Sequence, residues 1–158
     1  MPASCSKPPA KPPCKRFSDL KLGIDLQELE DSLPNGFHDS KLEGFTVDYV
    51  ARTAVLKMRL LVGTPDGATE EEREGYKPAE LHLSDVVYFV IDAPDPNYKY
   101  AESKGLWVNA GRAGEGKGPA PRVSYELLPK RAFAYWFFVH DWNSFIHVAA
   151  LGANLQWT

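Results

Sequence analysis

The sequence has little cysteine and no long hydrophobic run. Its 158 residues include two cysteines, Cys5 and Cys14, and both lie within the first 17 positions. A disulfide framework needs cysteines distributed through the fold, so this pair does not provide one. No apolar stretch approaches the roughly 20 residues of a bilayer crossing, and none follows the N-terminus as in a secretory signal. We therefore expect a cytoplasmic protein with no membrane partner.

An excess of positive charge is also missing. The formal net charge is −3, which excludes the strongly basic composition of a general nucleic-acid binder. Residues 1–17 hold five prolines, four Lys or Arg and no acid, and they are predicted to form a disordered tail. Residues 18–158, with 14 basic and 21 acidic side chains, are predicted to form a single β-rich domain of charge −7.

Familiar catalytic and nucleotide-binding motifs are absent. The sequence contains no P-loop, no G-x-S-x-G and no H-E-x-x-H. The glycine-rich stretch from Gly111 to Gly118 has a lysine, but neither a Ser or Thr nor a helical pattern follows it. These absences favour a non-enzymatic protein, although they leave the question of an enzyme open.

A short helix and then a series of strands are predicted. Asp25 is the expected N-cap of a helix that carries Leu26, Leu29 and Leu33 on one face. From Leu42 onward, apolar residues alternate with polar ones. Strands are predicted over residues 45–49, 54–60, 79–91, 106–108, 133–140, 145–151 and 154–157. The pattern indicates a mainly β fold, either an antiparallel β-sandwich or an open barrel, with one short N-terminal helix.

The first predicted hairpin spans residues 45–60. A turn over residues 50–53 places Tyr49 opposite Ala54 and Phe45 opposite Met58. This register puts the alternating apolar set of both strands on one face: Phe45, Val47, Tyr49, Ala54, Leu56, Met58 and Leu60.

The last predicted hairpin yields a candidate metal site. A turn over residues 141–144 places His140 opposite Phe145 and Phe138 opposite His147, so the two histidines share one face. Diagonal neighbours on adjacent strands lie roughly 7–8 Å apart, which one divalent ion could bridge if the imidazoles converged. Asp141 lies beside them, and two imidazoles with a carboxylate suit Zn or Fe. The alternative is that these histidines are structural residues, each satisfied by one hydrogen bond.

Two further groups of side chains are candidates for a site. The dipeptide His38-Asp39 could approach His140 and Asp141 in the fold, which makes these four residues the candidates for catalysis. A proline-rich loop carries Tyr98 and Tyr100 near Trp107, and with Trp142 these aromatic residues are candidates for stacking against a sugar or another small ligand. A structured turn would account for the same loop residues without any ligand.

Residues 33–40, 135–138 and 141–143 resemble segments of small uncharacterised bacterial β-rich proteins, some of which are similar to predicted immunity proteins of toxin systems. The resemblance implies a bacterial cytoplasmic protein that binds a protein partner, and it transfers no catalytic residue. We therefore predict a protein-binding β-domain whose partner is another protein or, in a homodimer, a second copy. The alternatives are a metal-dependent or small-molecule site built on His38, His140 and His147, and a carbohydrate-binding module.

Overall fold

A computed structural model describes residues 25–99, 106–113 and 118–158. The predicted tail, Cys5, Cys14 and Tyr100 lie outside these ranges. Neither α-helix in the described part of the chain is long and apolar enough to cross a membrane. The elements are α1 (Leu26–Asp31), β1 (Ser40–Asp48), β2 (Thr53–Leu61), α2 (Glu70–Arg73), β3 (Tyr76–Ser84), β4 (Tyr88–Ile91), β5 (Leu106–Arg112), β6 (Phe133–Val139), β7 (Ser144–Ala150) and β8 (Gly152–Trp157).

The eight strands form one open antiparallel sheet in the order β4-β7-β6-β5-β1-β2-β3-β8. The prediction of a mainly β fold with a short N-terminal helix is confirmed. The sandwich alternative would need two sheets, whereas all the described strands belong to one. β7 and β8 lie toward opposite ends of the strand order, yet Leu151 alone connects them. The sheet must therefore curl until its two ends approach each other, and Leu151 N–H donates to the Ser84 carbonyl there at 3.2 Å.

The inner face of the curled sheet holds a single hydrophobic core. Leu56 on β2, Leu81 on β3 and Ile146 on β7 are fully buried within it. Phe37, which precedes β1, packs edge-on against Phe137 of β6 with ring centroids 5.9 Å apart. Each large apolar side chain that is fully buried contributes about 1.5–3 kcal/mol. The outer face of the sheet is therefore free to carry polar and functional groups.

The prediction of one continuous strand over residues 79–91 is wrong, because the structure has two strands there, β3 and β4. Asp85 has a φ of +50°, which interrupts the extended backbone between β3 and β4. Val86 N–H then donates to the Arg52 carbonyl at 2.9 Å, and the chain turns away from β3. As a result β4 pairs with β7 at the opposite end of the strand order.

The predicted register of the first hairpin is shifted by two residues. Val47, and not Tyr49, lies opposite Ala54. The turn begins one residue early because the Asp48 carboxylate accepts hydrogen bonds from the amides of Val50 and Ala51, both at 2.9 Å. A shift of two keeps the side chains that remain in the strands on their predicted faces, since strand side chains alternate with period two. Tyr49, predicted as the last residue of the first strand, instead lies in the turn and is 67% exposed.

The last hairpin shows the same kind of difference. Its turn spans residues 140–143, so Phe145 lies opposite Phe138 and His147 lies opposite Trp136. Asn143 closes the turn with a left-handed φ of +46°, a conformation that asparagine tolerates better than most residues. Because this shift is again two residues, the register leaves the prediction of a shared face for His140 and His147 unchanged.

Candidate functional site

Asp39 stands between α1 and β1 in a left-handed conformation with a φ of +52°. Two side chains from other strands fix its backbone. Its N–H donates to Oδ1 of Asn109 on β5 at 2.9 Å, and its carbonyl accepts from the Tyr76 hydroxyl at 3.1 Å. Such a backbone costs an L-residue about 1–2 kcal/mol, so the surroundings must stabilise it. Within the described ranges, no hydrogen bond or ion pair occupies the Asp39 carboxylate, which lies on an exposed residue.

His140 is joined to Asp39 through the same asparagine. Nδ2 of Asn109 lies 2.8 Å from Nε2 of His140, and the Phe138 ring packs against the imidazole with centroids 4.8 Å apart. Because the Asn109 amide nitrogen is a donor, Nε2 accepts, and the neutral imidazole carries its proton on Nδ1. Asn109 therefore sets both the orientation of His140 and its tautomer.

Asp141 is turned inward and supports Trp107. Its side chain accepts a hydrogen bond from the Trp107 backbone N–H at 2.8 Å, and the residue is only 8% exposed. The Trp107 indole stays 37% exposed. Lys41 Nζ lies 4.9 Å from its ring centroid, and the Tyr76 ring meets it edge-on at 6.4 Å. The cation–π contact and the edge contact hold the indole in one orientation on the outer face.

The loop that follows β4 forms the remaining wall and carries Tyr98, which is 50% exposed. Asp95 anchors this loop to the turn over residues 140–143. Its N–H donates to the Trp142 carbonyl at 2.9 Å, and its carboxylate accepts from Asn143 Nδ2 at 3.0 Å. Hydrogen bonds from the Asn97 backbone and from Asn143 lower the pKa of Asp95. The loop is thus fastened to the turn through an ionised carboxylate.

These elements enclose a cleft of about 220 Å³, here called the Trp107 cleft. It is lined by Asp39, Tyr98, Lys99, Trp107, His140 and Asp141. Most of the sequence-predicted candidates for catalysis and ligand binding therefore come together in one place. The arrangement offers aromatic faces, carboxylate acceptors and nitrogen donors, which are the groups that bind a small polar ring.

Other predicted residues lie elsewhere. His38 lines a second cavity of about 420 Å³ beside α1, where burial raises the pKa of Glu30. Trp142 is half-buried and packs against the core, so it is not a stacking platform as predicted. Tyr100 lies outside the described residues. The adjacent residues His38 and Asp39 thus face two different cavities.

The predicted metal site at His140, Asp141 and His147 is not assembled. The rings of Phe138 and Phe145 lie between the two imidazoles, in a row of centroid contacts at 4.8, 5.0 and 5.9 Å. The two-residue register shift separates the histidines along the sheet. Across the described chain, no group of three or more His, Cys, Asp or Glu side chains is placed to hold a metal ion.

His147 instead belongs to a cluster with Asp92 and Arg122. Its Nε2 lies 3.1 Å from the Asp92 carboxylate and 3.3 Å from Arg122 Nε, and Arg122 also pairs directly with Asp92. Burial raises the pKa of Asp92, but the hydrogen bonds from Arg122 and His147 outweigh it and leave that pKa below its ordinary value. Because His147 is only 2% exposed, this cluster is a structural anchor at the end of β4.

A second surface, which the sequence analysis missed, is apolar. At the tip of the first hairpin Tyr49 is 67% exposed and Val50 is 97% exposed. The Tyr49 hydroxyl donates to the Phe89 carbonyl of edge strand β4 at 2.9 Å, and the Phe45 and Phe89 rings lie 5.5 Å apart. The open-edge patch consists of the exposed residues Phe45, Tyr49, Val50 and Ile91, since Ile91 lies on the same face of β4 as Phe89. The sequence signal was an apolar Tyr-Val pair where a turn should be polar.

Comparisons with protein-family models, with curated proteins and with solved structures gave no match for this chain. Among the described residues, the Trp107 cleft and the open-edge patch are the features that bear most directly on function.

Proposed function

We propose that this protein is a non-enzymatic binding domain that captures a protein partner through the open-edge patch. The observation that carries the proposal is the patch itself, where exposed apolar side chains continue from a hairpin tip onto an edge strand. Isolated exposed apolar residues are ordinary, whereas contiguous ones are typical of interaction sites. Val50 at 97% exposure makes almost no contribution to the core of its own chain.

The edge strand adds a second means of attachment. Among the described strands only β7 pairs with β4, so the part of β4 beyond the Phe89 carbonyl, which the Tyr49 hydroxyl already uses, can accept a strand from a partner. The hydrogen bond from Tyr49 to Phe89 already holds the hairpin tip against this strand. A surface that is ordered before binding loses less conformational entropy when the partner arrives.

The expected partner is basic. Residues 18–158 carry a formal charge of −7, and such a field attracts a positively charged protein and accelerates its encounter with the patch. The resemblance to predicted immunity proteins makes a toxin domain the first class of partner to test. A partner that combines apolar anchors with a basic rim would match both the patch and the charge.

Site-specific crosslinking tests this proposal. A photoreactive amino acid placed at Val50 or Ile91 in the full chain, expressed in its native host, should crosslink to one discrete protein. The matched control carries the same amino acid at Leu127, an aliphatic residue that is 76% exposed outside the patch. The recovered partner, once purified, should bind the wild-type chain, and Val50→Asp should weaken that binding about tenfold or more, as expected for loss of an apolar anchor.

Equal crosslinking from the patch and from Leu127 would contradict the proposal. So would a purified partner that binds Val50→Asp and the wild-type chain with the same affinity. Light scattering of the purified chain separates the two kinds of partner, since a homodimer that Val50→Asp dissociates would identify a second copy as the occupant.

A further inference from the structure

We infer that the Trp107 cleft is a separate ligand site that takes one neutral, polyhydroxylated six-membered ring, such as a single pyranose residue. This inference is independent of the proposed protein partner, because none of the residues lining the cleft belongs to the open-edge patch. Its grounds are the size of the cleft, its fixed aromatic face, its unused polar groups and its charge.

Size and shape favour one ring. The cleft of about 220 Å³ is smaller than the roughly 300–1,000 Å³ of pockets for drug-sized molecules. One wall is the half-exposed indole of Trp107, and another is the exposed ring of Tyr98. The C–H face of a pyranose ring packs on such aromatic surfaces while its hydroxyl groups remain free for hydrogen bonding. Lys41 and Tyr76 hold the Trp107 indole in place before any ligand arrives.

The polar groups of the cleft match hydroxyl groups. The Asp39 carboxylate accepts hydrogen bonds from O–H donors, and within the described residues nothing else uses it. In the tautomer that Asn109 selects, His140 presents a donor at Nδ1. A vicinal diol both donates and accepts, so one pair of neighbouring hydroxyls could satisfy Asp39 and His140 together.

Charge argues against an anionic ligand. Among the described residues, the carboxylates of Asp39 and Asp141 and the lysine Lys99 line the cleft, and residues 18–158 as a whole are acidic. Lys41 is engaged with the faces of Tyr76 and Trp107. Lys41 keeps its charge in these contacts, so it is the acidic excess of the whole domain that disfavours a phosphate or carboxylate group, and this excess does not act on an uncharged polyol.

The test is NMR titration of the full-length protein with methyl glycosides of glucose, galactose and mannose. The indole N–H signal of Trp107, assigned with Trp107→Phe, should shift saturably with at least one of them at millimolar concentration. Two matched probes distinguish the contributions to binding. Cyclohexanol has the ring with a single hydroxyl group and tests the need for several hydroxyls, and glucose 6-phosphate tests the effect of negative charge. Both should bind more weakly than the neutral glycoside.

Variants locate the binding. Asp39→Asn keeps a residue that tolerates a positive φ but removes the charged acceptor, and it should weaken binding about tenfold or more. Trp107→Ala lacks the indole signal, so its binding is followed by saturation-transfer difference on the glycoside and should be abolished; the control Trp157→Phe, on the opposite edge strand, should leave binding unchanged. Three results would overturn the inference: no saturable shift with any neutral glycoside, equal affinity of Asp39→Asn and wild type, or tighter binding of glucose 6-phosphate.

Discussion

The two hairpin turns over residues 49–52 and 140–143 have the same length and contain or follow an aspartate, yet they build opposite surfaces. In the first, the Asp48 carboxylate accepts from the amides of its own turn, and Tyr49 and Val50 remain in solvent. In the second, Asp141 reaches across to the backbone of Trp107 on another strand. An aspartate that satisfies its own turn leaves an apolar tip, whereas one that bonds to a neighbouring strand organises a polar cleft.

The largest expected effect comes from removing the inward aspartate. Asp141→Ala leaves the Trp107 amide without its charged acceptor, which should lower the free energy of unfolding by about 1.5–3 kcal/mol. Urea unfolding measures the change. Asp141→Asn keeps an acceptor of the same shape and should lose less than half as much; equal losses in the two variants would mean that the hydrogen bond is not the stabilising element.

The corresponding change in the first turn should be smaller. Asp48→Ala removes two hydrogen bonds in an exposed setting, where water can replace the lost acceptor, so we expect a loss of about 0.5–1 kcal/mol in the same urea experiment. A loss as large as that of Asp141→Ala would remove the distinction between the two turns.

Acid should loosen the contact between the second turn and the loop that carries Asp95. Because the pKa of Asp95 is lowered in the folded protein, its ionised form favours the fold above the ordinary aspartate value of about 3.9, and this contribution disappears as the pH falls through the folded pKa. Amide signals of Asp95 and Asn143 should therefore titrate below that ordinary value. In Asp95→Asn the same signals should show no such titration, and persistence of the transition would assign it to another group.

The smallest effect on stability is expected at the apolar tip. Val50→Asp, the variant that should weaken partner binding, should change the free energy of unfolding by less than about 0.5 kcal/mol, because the side chain is almost fully exposed. Thermal unfolding of the isolated protein checks this. A large destabilisation would show that Val50 belongs to the fold and not to an interaction surface.

The alternation of apolar residues was sufficient to predict a mainly β chain and the face of the hairpin residues that lie within the strands, but not the exposure of Tyr49 at the turn. The positions of the turns were harder to predict. The side-chain hydrogen bonds of Asp48 and the left-handed backbone of Asn143 end the two strands one residue earlier than the sequence pattern indicated. The break at Asp85 falls on the polar pair Ser84-Asp85 between two apolar stretches, and this signal was overlooked because the alternating pattern leads directly into the apolar run from Val86. Periodicity reports which side a residue faces, and it carries no information on where the pairing stops.

The cleft was predictable in its members but not in its assembly. Asp39, Trp107 and His140 were candidates, but they were assigned to different sites. Asn109, which connects Asp39 to His140, carries no sequence signal, because an asparagine in a strand looks like any other outer-face residue. The metal hypothesis failed for a related reason. The register shift keeps both histidines on one face, but it places His147 opposite Trp136 and not opposite Phe138, which is two strand positions farther from His140.

The one-residue link at Leu151 has a further consequence for both surfaces. Because it ties the two ends of the strand order together, neither half of the sheet can melt while the other stays intact, and unfolding should be a single cooperative transition. Occupation of either surface would then raise the melting temperature of the whole domain. Simple thermal-shift screening can therefore search for a sugar and for a protein partner with the same readout.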